Sequence, residues 1–487
     1  MQLRLQVIGS VNTMLKTIYG TEYTKSSAQS NVSSIAFAGT VVGQLSFGYL
    51  SDHWSRRNSL LVSTIILIFF AALGAGSYGA HGSTQGLFAA LTAYRFLLGI
   101  GIGGEYPAGS VSCAEATGEL KKGHRNRWFI FSTNFAIDAG FVVAAIVPMI
   151  LVLIFTEKHL HAAWRVALGL GVIPPLSLLW LRVKLKEPEQ YNRQKMNKYP
   201  VWLIIKFYWL RLIVVSLIWF IYDFSAYSFG IYSSAWLALI LPKTAPLWKS
   251  FGWFVTLVYA ALKPLLLCDF GLMIHASAIG TPLSTCSTSL ARSLERSPAT
   301  GLGQDTALRL ASSSKESWGL SWLAYMLPWQ LLHMLQALWW STGMISISAI
   351  CDQALTPISI FLALGEVGPG DNIGLIASKT SATCIRGQYY GIAAAVGKIG
   401  AFVGSYIFPI IQANAPNATR AGQDPFFVSS SLCIFSACLA LFALPHIGQD
   451  TITEEDIKFN DYLDAHGYDR STMGTKEYQM HRASISN

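Results

Sequence analysis

The sequence predicts an all-α membrane protein built of two helical halves, on three observations. Of its 487 residues 52% are hydrophobic and only 13% charged, with a mean hydropathy of +0.42, whereas soluble domains carry about 25% charged residues. Runs of roughly 18 or more residues with few charges recur along the chain, each long enough to cross a hydrocarbon core as a helix. A polar, basic stretch after Arg182 (RVKLKEPEQYNRQKMNKYP) then divides these runs into two sets. Lipid offers the backbone no hydrogen-bond partners, so the spans have to be helical.

In chain order, the apolar runs cover residues 33–50, 59–79, 86–114, 128–156, 162–181, 212–242, 387–411 and 426–445. Weaker ones near 6–19, 251–268, 320–350 and 356–378 bring the total to about twelve. The expected organisation is an N-terminal half over 1–181, a central loop over 182–208, a C-terminal half over 209–447 and a polar tail over 448–487. An internal echo supports two halves: GIGGEYPAGSVSCAEATGEL from Gly101 and GEVGPGDNIGLIASKTSATC from Gly365 share their Gly and Pro punctuation 264 residues apart, as parallel repeats do. Residues 280–317 are rich in Ser and Thr without an apolar period, which predicts an insert with no packed core. The tail is expected to contribute at most a short surface helix.

The net charge of +9 and pI of about 9.1 do not point to nucleic acid, because the basic residues sit in alternate loops. Arg56 and Arg57, then Lys121, Lys122, Arg125 and Arg127, then the stretch from Arg182 to Lys198 are the rich ones. That asymmetry places those loops and both termini in the cytoplasm, and leaves the glycosylation sequons at Asn31 and Asn417 outside. The opening MQLRLQVIGSVNTMLK lacks a signal peptide's clean apolar core, so the first weak span is expected to direct insertion. Seven cysteines without C-x-x-C or Cys/His spacing read as small packing residues. No nucleophile–base–orienter set, metal cluster or phosphate-cradling loop is found. The chain is therefore not expected to be an enzyme or to need a cofactor or metal.

Two buried charges stand out. Asp223, in IWFIYDFSAYSF, is the only formal charge between Arg211 and Lys243; twelve helical residues past Arg211 place it roughly 18 Å deep. A charge there is costly, which makes the group a candidate to take up and release a proton. Trp219 and Tyr227 lie four residues either side, so a ring, an acid and a phenol share one helix face. Lys398, in YGIAAAVGKIGAFVG, is surrounded by small and apolar residues and needs an anion, either Asp223 or an anionic substrate. The plainer readings are a permanent ion pair between the halves for Asp223 and Lys398, and ordinary aromatic packing for Trp219 and Tyr227. Glu105 reads equally as a second proton site or as a hydrogen-bonding group beside Pro107. Glu366 and Asp371 read as bonding amides where Pro369 interrupts a helix, and Glu115 and Lys379 as gate charges at helix ends.

FGYLSDHWSRRNSL, with Gly48, Asp52, Arg56 and Arg57, resembles the loop between the second and third helices of the major facilitator superfamily. YRFLLGIGIGGEY matches its fourth-helix pattern. Gly48 allows close helix approach, and the acid with its basic pair can latch helix ends in one gating state. EYPAGSVSCAEATGELKKGHRNRWF, WFIYDFSAYSFGIYSS, LALGEVGPGDNIGLIASKTSATCIRGQYYGIAAAVGKIGAFVG and EEDIKFNDYLDAHGYD further resemble the fungal glycerophosphoinositol permeases, relatives of phosphate:proton symporters. The resemblance implies a major facilitator fold and proton-coupled uptake of glycerophosphodiesters at the plasma membrane, by a protein working as a monomer. It assigns Lys398 to the phosphoryl group, protonated Asp223 as a hydrogen-bond donor to it, and Trp219, Tyr227 and Tyr106 as substrate contacts, with Asn134 and Asp138 as fifth-helix candidates. It also implies a complete first helix, against which the start at MQLRLQ is expected to be truncated, and a second-half counterpart of the SDHWSRR loop after FGWFVTLVYAALKP, where residues 265–355 are instead atypical. A phosphate or monocarboxylate permease, and a non-transporting sensor or decayed copy, stay open as alternatives.

Overall fold

The computed structural model describes residues 2–240, 251 and 370–479, apart from 25–26, 119, 121–124, 446, 448–449, 471–472 and 476–477; some side chains inside helices, those of residues 2–6 and 231–240 and of Asn134, Asp138 and Asp371 among them, also lie outside the description. The weaker spans expected near 251–268, 320–350 and most of 356–378, the Ser-rich stretch and Glu366 fall outside the described residues.

Among the described residues all regular structure is helical. The first half holds α1 (Gln2–Tyr19), the single turn α2 (Thr21–Thr24), α3 (Ala28–His53), α4 (Arg56–Ala75) and α5 (Thr84–Glu105). A π-turn (Tyr106–Ser110) carries α5 into α6 (Val111–Thr117), and a second (Phe131–Phe135) joins α7 (Arg125–Ile130) to α8 (Ala136–Phe155). Next come α9 (Leu160–Gly169) and α10 (Ile173–Val183), linked by one 3₁₀ turn, then α11 (Glu189–Gln194) in the linker. The second half holds α12 (Val201–Ile240), α13 (Asp371–Lys379), α14 (Arg386–Ala413) and α15 (Ala418–Ala443), followed by α16 (Thr451–Ala465) in the tail. Five described stretches are long and apolar enough to cross a membrane: Arg56–Ala75, Thr84–Thr117, Glu157–Val183, Val201–Gly230 and Thr383–Ala413.

Local chemistry sets these boundaries. Ser55 caps α4 by accepting from the Asn58 amide at 3.0 Å, and Ser83 caps α5 by accepting from Gly86 at 3.1 Å, each satisfying an amide that a helix start leaves bare. Pro107 has no N–H for the carbonyl one turn back, and the helix widens there into its π-turn. Pro200 fixes φ just ahead of α12, so that helix begins at Val201 and runs 40 residues. Much of the polar linker is thus the approach to one long helix.

In lipid, apolar burial does not by itself draw helices together; close packing between small residues does. The main pairings are α3 on α5, α12 on α14, and α14 on α3, the last joining the two halves. A Cβ on Gly400 of α14 would stand 2.3 Å from the Phe220 carbonyl oxygen of α12, and one on Gly391 would stand 2.5 Å from the Gln44 carbonyl of α3. Only hydrogen fits at either crossing, so α14 serves as the axle on which both contacts are built.

The tail departs from expectation. Ile452, Glu455, Asp456, Phe459 and Leu463 of α16 are buried; they follow the spacing of one helix face. Phe459 and Leu463 pack beneath the bundle with Tyr208, Cys384 and Tyr389, and Ile452 packs with Ala114, Phe129 and Leu375. The tail is an amphipathic helix seated on the linker end of the bundle, because its charges alternate with apolar residues at helical rather than random spacing.

Candidate functional site

Two constellations form between the halves. The first lies mid-bundle, where α12 presents Trp219, Asp223 and Tyr227 on one face and α14 presents Lys398. Lys398 Nζ donates to Asp223 Oδ2 at 2.8 Å, with both side chains 1% exposed. Both helices belong to the second half, so this pair does not bridge the halves, against the expectation of a permanent ion pair between them. The same ammonium stands 3.9 Å from the centroid of the Tyr227 ring and 5.1 Å from that of Tyr106, within range of cation–π attraction. The Tyr106 and Tyr227 hydroxyls are 3.4 Å apart. Trp219 meets Tyr106 edge-on at 6.5 Å and Tyr390 at 5.3 Å. The five residues that the sequence singled out for this region therefore converge on one point.

Several details were not read from the sequence. Tyr390 lies eight residues before Lys398, hence on the same face of α14; that spacing was a usable signal. Phe37 of α3, packed on Tyr227 at 5.3 Å, carried none. Glu105, next to Tyr106 in the chain, turns away from this point. It pairs with Arg182, whose Nη2 lies 2.6 Å from Glu105 Oε2, and accepts from Ser63 at 2.9 Å. Asn134 and Asp138 lie on the segment running from α7 through its π-turn into α8, and their side chains are outside the description.

The second constellation closes the linker end. Asp52 accepts from Arg56 and from the backbone amides of Gly387 at 2.9 Å and Gln388 at 2.7 Å, so an acid at the end of α3 holds the start of α14. Glu115 Oε1 accepts from Arg56 Nη2 at 3.0 Å and from Arg386 Nη1 at 3.1 Å, and Arg56 also donates to the Thr383 carbonyl at 3.0 Å. Asp456 of the tail accepts from the amide and hydroxyl of Thr383 at 2.6 and 2.7 Å. Asp52, Arg56, Glu115 and Arg386 are all buried, and a buried charge is tolerated only when paired and bonded in this way. Arg57 takes no part across the halves: its amide donates to Glu187 at 3.1 Å and its guanidinium to the Val183 carbonyl. Lys379 meets Asn126 of α7, again an end contact between halves.

Chemically, the mid-bundle set is a buried cation held by a carboxylate inside an aromatic wall. A second anion reaching Lys398 has to share it with Asp223 or replace it. Residues 5–199 and 332–459 match the family model "Sugar (and other) transporter", and the chain belongs to that family of membrane transporters. Over 96% of its length it is 46% identical to the major glycerophosphoinositol permease of Candida albicans, 46% to a glycerophosphodiester transporter and 44% to a glycerophosphocholine permease of the same organism, spanning 80% of each relative. The proton:xylose symporter of the major facilitator superfamily bound to 6-bromo-6-deoxy-D-glucose shares its fold, with a TM-score of 0.60 at 17% identity over 94% of this chain and 96% of that one. The Escherichia coli xylose transporter in a partially occluded inward-open conformation superposes with a TM-score of 0.61 at 15% identity, over 91% and 94% of the two chains.

Proposed function

We propose that this protein takes up glycerophosphodiesters across the plasma membrane by alternating access, coupled to protons, as a monomer with both termini in the cytoplasm. The observation that carries the reading is the buried Lys398–Asp223 pair inside the aromatic cluster, in a chain closely similar to glycerophosphodiester permeases. While Asp223 is ionised, Lys398 is neutralised and the site holds its charge balance without substrate. A proton on Asp223 removes that balance and frees the ammonium for a phosphate, and the protonated carboxyl can itself donate to a phosphate oxygen. Tyr106 and Tyr227 then supply hydroxyls, and Trp219 with Tyr390 an apolar wall for the glycerol or head group. When the halves rock and the proton leaves, the returning carboxylate competes with the phosphate for Lys398 and favours release. The buried charges at the linker end hold one limit of that rocking motion, with Asp52 and Arg56 as its hinge-side members.

The test is uptake of labelled glycerophosphoinositol, glycerophosphocholine, inorganic phosphate and lactate by cells lacking their own permeases, with and without a protonophore. Accumulation of a phosphodiester that collapses with the protonophore is the expected result. Uptake of lactate alone, or phosphodiester binding without uptake, would overturn it.

A further inference from the structure

We infer that the N-terminal half contains a separate site for a small monovalent anion of chloride size, held by Arg95. A small cavity of about 20 Å³, room for one water-sized or chloride-sized occupant, lies between α1, α4, α5 and α9, lined by Val7, Phe70, Leu91, Tyr94, Arg95 and Leu98 among others. Arg95 is 2% exposed. Its Nε donates to the Val32 carbonyl at 2.7 Å, while Nη1 and Nη2 have no partner among the described residues. A second buried donor in the same apolar cluster, the Trp164 indole N–H, also has none; Trp164 precedes the cavity-lining Ala167 and Leu168 by one turn of α9. Among the residues that line the cavity, the orphaned side-chain atoms are therefore both donors, Nη1 and Nη2 of Arg95.

A guanidinium stays charged at any accessible pH, and an isolated charge in a low-dielectric interior is costly unless a counter-charge reaches it. The described helices that line the cavity supply none: α1, α4 and α9 contain no acidic residue, and the single acid of α5, Glu105, is bonded to Arg182. Glu105 is also ten residues along that helix from Arg95, about 15 Å. A compact anion taking both Nη donors satisfies charge and hydrogen bonds together, and the otherwise apolar lining excludes larger polar ligands. This site stands apart from Lys398 and does not rest on the transport reading.

The purified full-length chain in detergent is titrated with sodium chloride against sodium gluconate at fixed ionic strength while its melting midpoint is followed. A saturable rise in Tm that vanishes in Arg95→Gln is expected, since a ligand bound only to the folded state stabilises it. A change that does not saturate, or one that survives Arg95→Gln, overturns the inference. Should that variant fail to fold, bromide-soaked crystals of the unaltered protein decide: anomalous density in contact with the Arg95 guanidinium supports the site, and water alone there refutes it.

Discussion

Lys398 and Asp223 illustrate how one contact can serve both folding and function. With both groups buried at 2.8 Å, removing either leaves the other as an uncompensated charge, at a cost of about 3–5 kcal/mol. Lys398→Ala is therefore expected to lower Tm and abolish phosphodiester uptake, whereas Lys398→Met combined with Asp223→Asn regains the stability and not the transport. Asp223→Asn alone keeps a hydrogen-bonding side chain but no titrating proton. It is expected to permit downhill exchange and lose accumulation against a gradient, measured as the steady-state ratio of labelled substrate inside to outside. Unchanged accumulation would remove Asp223 from the proton path.

Helix crossings decide where those residues meet. Because Gly400 sits against the Phe220 carbonyl, Gly400→Val is expected to wedge α14 from α12, with about 1–3 kcal/mol of destabilisation and displacement of Lys398 from Asp223. A fall in Tm together with lost uptake would show it, and normal values of both would contradict the packing. The tail helix offers a second intervention. Asp456→Ala deprives the Thr383 amide and hydroxyl of their acceptor, beside Cys384, which is 3% exposed. The rate of maleimide labelling at Cys384 is expected to rise several-fold as that end loosens, together with a fall in Tm reflecting about 1–3 kcal/mol for the buried donors left unsatisfied.

Taken as a whole, the two halves meet at mid-depth where the Tyr106 and Tyr227 hydroxyls approach each other and at the linker end through a shared acid. Glu115 accepts from Arg56 of the first half and Arg386 of the second, so Glu115→Gln is expected to favour opening there. Spin labels at Trp54 and Ile457, exposed positions near that end, should report a longer distance population than in the unaltered chain. Much of this was readable from residue spacing. Apolar run lengths gave the helices, and the Trp219, Asp223, Tyr227 period gave one wall of the mid-bundle site. What the sequence withheld are contacts between elements far apart in the chain. Nothing local to Glu115 says that it faces Arg386, and nothing near Glu105 says that Arg182, 77 residues on, turns it from the aromatic site. The tail was misjudged because its polar composition hid a helical apolar face, and Asp52 pairs across the halves while Arg57 does not, a distinction that an adjacent-residue motif cannot make.

The widened turn at Tyr106–Ser110 sets the phase between two remote places. A π-turn holds one residue more than an α-turn, and each residue rotates a helix by about 100°. Tyr106 above the turn faces Lys398, while Glu115 below it faces Arg56 and Arg386. The turn takes up that residue, so the nine residues from Tyr106 to Glu115 in an unbroken α-helix would swing Glu115 by about 100°. Deleting a single residue such as Ala108 would instead restore a regular helix with everything beyond it in the same phase. The expected product of the deletion is a folded protein with its aromatic site and its Glu115 contacts to Arg56 and Arg386 both in place. The wide turn thus works as a slack loop in the span, taking up one residue without turning its end-facing part away from its substrate-facing part.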